Sequence, residues 1–236
     1  GRQQQLLEAL HATGKPVVLV LINGQPLTIN WADRNIPSIL EAWFPGQLGG
    51  EAIARTLFGD YNPGGRLSVT FPKSIGQIEF NFPFKPGSQD GQYFAGPNGS
   101  GNTRVNGALY PFGHGLSYTT FAYSKLSVKQ ETPYSQSPVT VTVDVTNTGK
   151  RAGDEVVQLY IRDKVSSVIA YESVLRGFER ISLQPGETKT VTFVLLPEDL
   201  QILDRHMEWT VEPGEFEVRI GTSSTDIKLK DTFVVK

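Results

Sequence analysis

The spacing of hydrophobic positions changes once along this chain, from blocks suited to helices and buried strands to strict alternation. In residues 2–13, Leu6, Leu7 and Leu10 recur at helical spacing and Gly14 supplies a stop. Residues 16–22 form a continuous Val/Leu/Ile run, as in a parallel strand covered on both faces, and Asn23-Gly24 ends it in a tight turn. Residues 38–44 predict a second buried strand. A helix over about 48–58 follows, with Ala52, Ile53, Leu57 and Phe58 on its packed side and Gly59 at its end. Asn62-Pro63-Gly64-Gly65 then turns the chain into a short strand at 66–71. A sheet with helices on both faces needs more strands than these, so residues 1–75 read as a partial α/β domain with a mostly parallel sheet. The rest of that layer is expected from polypeptide elsewhere.

From 72 to about 117 the chain is rich in Gly, Pro, Asn and Phe and has no regular period. This stretch, placed at 76–122 between the two regular regions, is expected to wrap along a surface and dock its rings there. From residue 123 the period is two. Val139, Val141, Val143 and Val145 alternate with polar positions, and Asn147-Thr148-Gly149 supplies a turn. Further strands are predicted at 155–162, 174–183, 188–196, 207–211, 215–220 and 226–235, and two near-identical turn sequences, Gln184-Pro185-Gly186-Glu187 and Glu212-Pro213-Gly214-Glu215, separate some of them. Seven or eight short strands in residues 123–236 indicate an antiparallel β-sandwich, with Phe178, Phe193, Trp209 and Phe216 assigned to its core. The fold class is α/β followed by all-β.

Composition narrows the function classes. A net charge of −2 without any block of like charge suggests neither a nucleic-acid surface nor an anionic membrane as partner. The absence of cysteine excludes disulfides and thiolate metal sites. The longest apolar run, residues 17–22, is too short to span a bilayer. A start at Gly1 rather than Met fits removal of an original N-terminus, which leaves compartment open.

Candidate chemistry within the chain is sparse. Glu51 lies in the first turn of its helix, where the dipole favours the ionised form and opposes proton donation. Glu41 reads as a strand-end carboxylate bonded to a neighbouring loop, and Glu8 as part of a polar helix face. His11, His114 and His206 are too scattered for a metal site, so no metal or cofactor is expected. The glycine-rich stretch 96–107 lacks the flanking strand and helix of a phosphate loop, and Asn98-Gly99-Ser100 fits a glycosylation sequon that also arises by chance. Trp43 stands apart, because it ends a predicted parallel strand and ligands of open α/β sheets meet the carboxyl ends of strands. Packing is the competing reading for it.

Four ordered stretches carry a resemblance: KPVVLVLINGQPL at 15–27, WFPGQLGGEAIARTLFGD at 43–60, NPGGRL at 62–67 and YPFGHGLSY at 110–118. They are similar to the C-terminal half of family 3 glycoside hydrolases of the β-glucosidase type. Gly177-Phe178-Glu179-Arg180 with residues 183–187 resembles the fibronectin type III-like module that closes many such enzymes. His114 departs from the tyrosine often found there. The resemblance implies a retaining hydrolase of terminal β-linked sugars, glucosidase or xylosidase, exported to the periplasm or secreted. It also implies that the aspartate nucleophile, on a barrel domain, and the acid/base glutamate both lie upstream of Gly1. Retaining hydrolysis needs two carboxyl groups about 5 Å apart, and no catalytic residue is expected in this chain. On this reading the portion is silent alone, and Asn23, Trp43 and Gln47 form part of a substrate-binding wall on the aglycone side. A β-linked oligosaccharide or β-glucoside, a missing barrel domain and self-association are the partners it suggests. The alternative is a noncatalytic carbohydrate-binding or protein-interaction module.

Overall fold

The computed structural model describes residues 1–77, 81–85, 107–134 and 137–236. The sequon and all of 96–107 except Gly107 lie outside them. The N-terminal layer runs α1 (Gln3–His11), β1 (Val18–Leu21), α2 (Asn30–Asn35), β2 (Ser38–Glu41) and α3 (Gly49–Phe58). β1 and β2 pair in parallel from Val18↔Ser38 to Leu21↔Glu41, so their carboxyl ends finish level. The crossover between them contains α2, which the periodicity did not predict. Its six residues, NWADRN, are too few and too polar to show a helical repeat. Gly59 ends α3 in the left-handed conformation, as expected, with its N–H bonded to the Thr56 carbonyl.

Two expectations for this layer are corrected. The apolar side of α3 is largely unpacked within the described residues: Ile53 is half-buried, but Phe58 is 85% exposed and Ala52 and Leu57 are exposed. Amphipathicity marks which face is apolar but not what covers it. The predicted strand at 66–71 is also absent. Its backbone instead bonds to the returning segment, with Leu67 N–H to the His114 carbonyl at 2.8 Å, Gly113 N–H to Leu67 at 2.7 Å and an isolated antiparallel bridge between Phe71 and Tyr110.

The sandwich comprises β3 (Phe121–Gln130), β4 (Val139–Asn147), β5 (Gly153–Asp163), β6 (Val174–Leu183), β7 (Thr188–Leu195), β10 (Gly214–Gly221) and β11 (Ile227–Val235). A small hairpin, β8 (Ile202–Leu203) and β9 (Trp209–Thr210), lies outside the two sheets. The sheets are ordered β11-β10-β5-β6 and β3-β4-β7, antiparallel throughout. The alternating valines of β4 all point into the core with Val157, Leu159, Leu195, Val218 and Ile220. β3 escaped prediction because a bulge between Ser124 and Ser127, with Lys125 at φ 53°, breaks its alternation. Gln184-Pro185-Gly186-Glu187 closes as a turn with Gly186 at φ 78°, whereas in the second, near-identical sequence Gly214 is already the first residue of β10. Phe216 is buried and Phe193 packs against the core as expected. Phe178 and Trp209 do not: they are 66% and 67% exposed, the first opposite Gln158 on the outer face of its sheet and the second on the small hairpin.

That outer face is where the wrapping segment docks. Phe82 stacks on Phe112 at 4.7 Å and meets buried Tyr160 edge-on at 5.5 Å, and Gln158 donates to the carbonyls of Gly113 and Thr222 at 3.1 and 2.7 Å. At the seam between the two regions, Arg66 of the NPGGRL stretch reaches Glu155 on β5 at 2.7 Å, with the side chains 8% and 2% exposed. Tyr123 donates to the other carboxylate oxygen at 2.8 Å. Burial pushes the Glu155 carboxyl above the ordinary carboxylate range, while the Arg66 charge and the Tyr123 bond pull against that shift. Asn62 braces the same seam, bonding the Ala152 carbonyl, Ser117 and the Tyr118 N–H. Its amide crosses so near Gly153 that an added Cβ there would lie 2.4 Å away.

Glu155→Ala leaves a guanidinium buried without its partner and is expected to lower the unfolding free energy by about 3–5 kcal/mol. Replacing both groups, Arg66→Met with Glu155→Leu, is expected to cost far less. Urea denaturation of the two variants checks this, and equal losses would contradict the assignment.

Candidate functional site

Because β1 and β2 end level, the residues that follow them converge. Glu41, the last residue of β2, accepts the Asn23 side-chain amide at 3.2 and 3.4 Å and the backbone N–H of Trp43 at 2.9 Å. Asn23 in turn accepts the Gln25 N–H through its Oδ1 at 3.2 Å, which fixes the turn after β1. Glu41 is thus the loop-bonded strand-end carboxylate that the sequence suggested, and it joins Asn23 to Trp43. Gln47 is exposed on the loop toward α3 and takes no part in these bonds. The two loops cross closely. An added Cβ on Gly24 would lie 2.6 Å from the tip of the exposed Phe44 ring, which would have to swing aside.

Trp43 has φ 49°, in the left-handed region that costs a non-glycine residue about 1–2 kcal/mol. Two contacts hold it there: its N–H on Glu41, and its ring tilted against that of Phe71 at 6.0 Å. Phe71 is buried and meets Tyr110 at 5.9 Å, and Tyr110 stacks nearly parallel on His114 at 5.2 Å. The Tyr110 hydroxyl donates to Asp33 of α2 at 2.7 Å, and burial followed by that carboxylate pushes the phenol pKa up. Burial, then the nearby Arg66 charge, holds the His114 imidazole below its ordinary pKa.

Glu51, Glu8 and His11 have partners elsewhere. Glu51 pairs with Arg55 at 2.7 Å on the exposed side of α3, and Glu8 accepts Gln4 at 2.8 Å. His11 lies edge-on to Trp31 at 5.6 Å, and among the described residues no group of three His, Cys, Asp or Glu is placed to hold a metal. No described helix is long and apolar enough to cross a membrane. A cavity of about 560 Å³ opens far along the chain, lined by Arg162 and Asp163 at the end of β5 and by the following loop with Tyr171 and Glu172, and shares no residue with the strand-end cluster. The cluster itself offers an amide, an indole and one carboxylate already bonded twice. That set can hydrogen-bond and stack against a polar ring, but it contains no pair of acids.

Comparison with known proteins agrees with this composition. The glycosyl hydrolase family 3 C-terminal domain matches residues 1–118, and a fibronectin type III-like domain matches 155–224. A beta-xylosidase of Formosa agariphila is 48% identical over 98% of this chain, and a periplasmic beta-glucosidase of Salmonella typhimurium is 45% identical over 96%. A β-glucosidase structure from Erythrobacter marinus superposes over the whole chain with a TM-score of 0.89 at 40% identity. A β-glucosidase from Listeria innocua does so over 98% with a TM-score of 0.88 at 35% identity. The chain spans about 30% of the length of each: 31% and 30% of the two relatives, and 30% and 32% of the two structures. With its α/β region and its sandwich both matched in order, the chain belongs to glycosyl hydrolase family 3, of which it carries the C-terminal domain and the fibronectin type III-like domain.

Proposed function

We propose that this chain is the noncatalytic C-terminal portion of a retaining glycosidase that releases terminal β-linked sugars through a glycosyl-enzyme intermediate. The nucleophile and the acid/base are assigned to polypeptide preceding it. The observation that carries this reading is the state of Glu41. It is the one carboxylate at the carboxyl ends of the parallel strands, and both of its oxygens are engaged by Asn23 and Trp43. A retaining site requires a second carboxyl about 5 Å away, and none among the described residues is bonded into this cluster. Asn23 and Trp43, with Gln47 on the adjoining loop, serve as wall residues on the aglycone side. The exposed apolar groups of the N-terminal layer, Leu6, Ile22, Phe44, Leu48 and Phe58, face the barrel domain of the whole enzyme or, in its absence, a second copy of the chain. Both xylosidases and glucosidases occur among the relatives, so the sugar is glucose or xylose.

A second reading draws on the exposure of Trp209 and Phe178. Aromatic faces open to solvent on the sandwich suit a carbohydrate-binding surface that acts without chemistry.

Two measurements separate these readings. Assayed on aryl β-glucosides and aryl β-xylosides, the purified chain is expected to show no turnover. Turnover abolished by a single substitution such as Glu41→Gln would overturn the proposal. In affinity electrophoresis against soluble β-glucans and xylans, the first reading expects no retardation. Retardation that Trp209→Ala weakens about tenfold, about 1.4 kcal/mol, would establish the second.

A further inference from the structure

Trp43 sits in a backbone conformation that is unfavourable unless its surroundings over-determine it. Following the groups that hold it leads out of the α/β layer altogether. Trp43 rests on Phe71, Phe71 on Tyr110 and Tyr110 on His114, with ring separations of 6.0, 5.9 and 5.2 Å. The His114 carbonyl accepts the N–H of Leu67, the residue after Arg66, at 2.8 Å. The Arg66 side chain lies against the same segment, where a Cβ on Gly115 would come within 3.0 Å of its Cδ. Arg66 then ends on Glu155 and, through it, Tyr123, both in the fibronectin-like module. The rings touch in sequence, the step from His114 to Arg66 runs through the bonded 65–67 and 113–115 backbone, and Phe71 and Glu155 are among the most buried side chains described.

We infer that the fibronectin-like module sets the placement of Trp43 through this line of contacts, Trp43, Phe71, Tyr110, His114, Arg66 and Glu155. Trp43 is a positioned residue here, and Arg66, Glu155 and His114 are positioning residues. The consequence for catalysis rests on the wall role proposed for Trp43. The placement does not, and it can be read with no sugar present.

His114 makes the line testable because its imidazole can gain a charge as pH falls, and burial holds it neutral below its ordinary value. The charged groups that face it are Arg66, which opposes an imidazolium, and Asp226 and Asp33, which favour one; burial opposes it most. The sign follows from linkage. An imidazole held below its ordinary value of 6.5 stays neutral in the folded chain while the unfolded chain takes up a proton. Stability is therefore flat above that value and falls as pH drops from it through the folded-state pKa. At the lower end of that window a second positive charge appears beside Arg66 and loosens the His114–Tyr110 stack.

The chain has three tryptophans. With Trp31→Phe and Trp209→Phe, Trp43 is the sole indole, and the change at position 31 also removes the ring that His11 contacts. Emission maximum and acrylamide quenching are recorded from about pH 8 downward to the onset of acid unfolding, which far-UV circular dichroism in parallel marks. A step with its midpoint below 6.5 is expected, at unchanged circular dichroism, and is expected to vanish in His114→Phe, which keeps a ring on Tyr110. At the upper pH, Glu155→Gln is expected to raise Trp43 quenching. If that variant does not fold, Tyr123→Phe, which removes one of the two bonds on Glu155, carries the same expectation. Absence of the step, its persistence in His114→Phe, or quenching untouched by the substitution at the seam would each overturn the inference. None of these outcomes depends on whether Trp43 meets sugar, and a silent chain in the glycoside assay would leave them unaffected.

Discussion

The ion pair between Arg66 and Glu155 is the constraint on which the arrangement of this chain depends. Both groups are nearly removed from water, and such a pair gains little net free energy because desolvation offsets the attraction. Its effect is on register. A guanidinium rising from the turn of NPGGRL has one buried acceptor within reach, Glu155, which is itself held by Tyr123. Around that point the two regions approach at backbone distance, with Asn62 passing over Gly153, Gly64 against Asp154 and Gly113 against the Ser223 backbone. Sliding one region over the other would strand a buried charge and collide main chains.

From that seam the functional geometry follows. The NPGGRL turn fixes where residues 66–71 run, and Phe71 at the end of that run is the floor under Trp43. At the other side of Trp43, Glu41 closes off the strand β2 and collects both the Asn23 amide and the Trp43 N–H. A carboxylate used in this way stabilises loops and is poorly suited to transferring protons. On the reading proposed for this chain, cleavage and the presentation of substrate fall to different stretches of a family 3 enzyme, and Glu41 serves the second.

Much of this was legible in the residues, and the exceptions have physical causes. The alternating valines of β4 announced a half-buried strand, and the level run of β1 ending at Asn23-Gly24 placed a turn where the structure has one. The resemblance alone groups Asn23 with Trp43, and their convergence is a consequence of the parallel strands ending level. The hub joining them, Glu41, was visible as a strand-end carboxylate but not as the residue that joins them. β3 was hidden by a one-residue bulge, and α2 by its brevity. Phe178 and Trp209 were assigned to the core because alternation gives parity along a strand without saying which faces are covered. In β5 both faces are buried, one by the opposite sheet and the other by the wrapping segment. Arg66 and Glu155 lie 89 residues apart, and no local pattern marks either.

The buried seam at Arg66 and Glu155 leads us to claim that the α/β layer and the fibronectin-like module tumble as one body. Backbone 15N relaxation tests it directly. If the claim holds, amides of β1 and β2 and amides of the sandwich strands report a single rotational correlation time, that of the whole chain. Two distinct, shorter correlation times, one for each region, would contradict it.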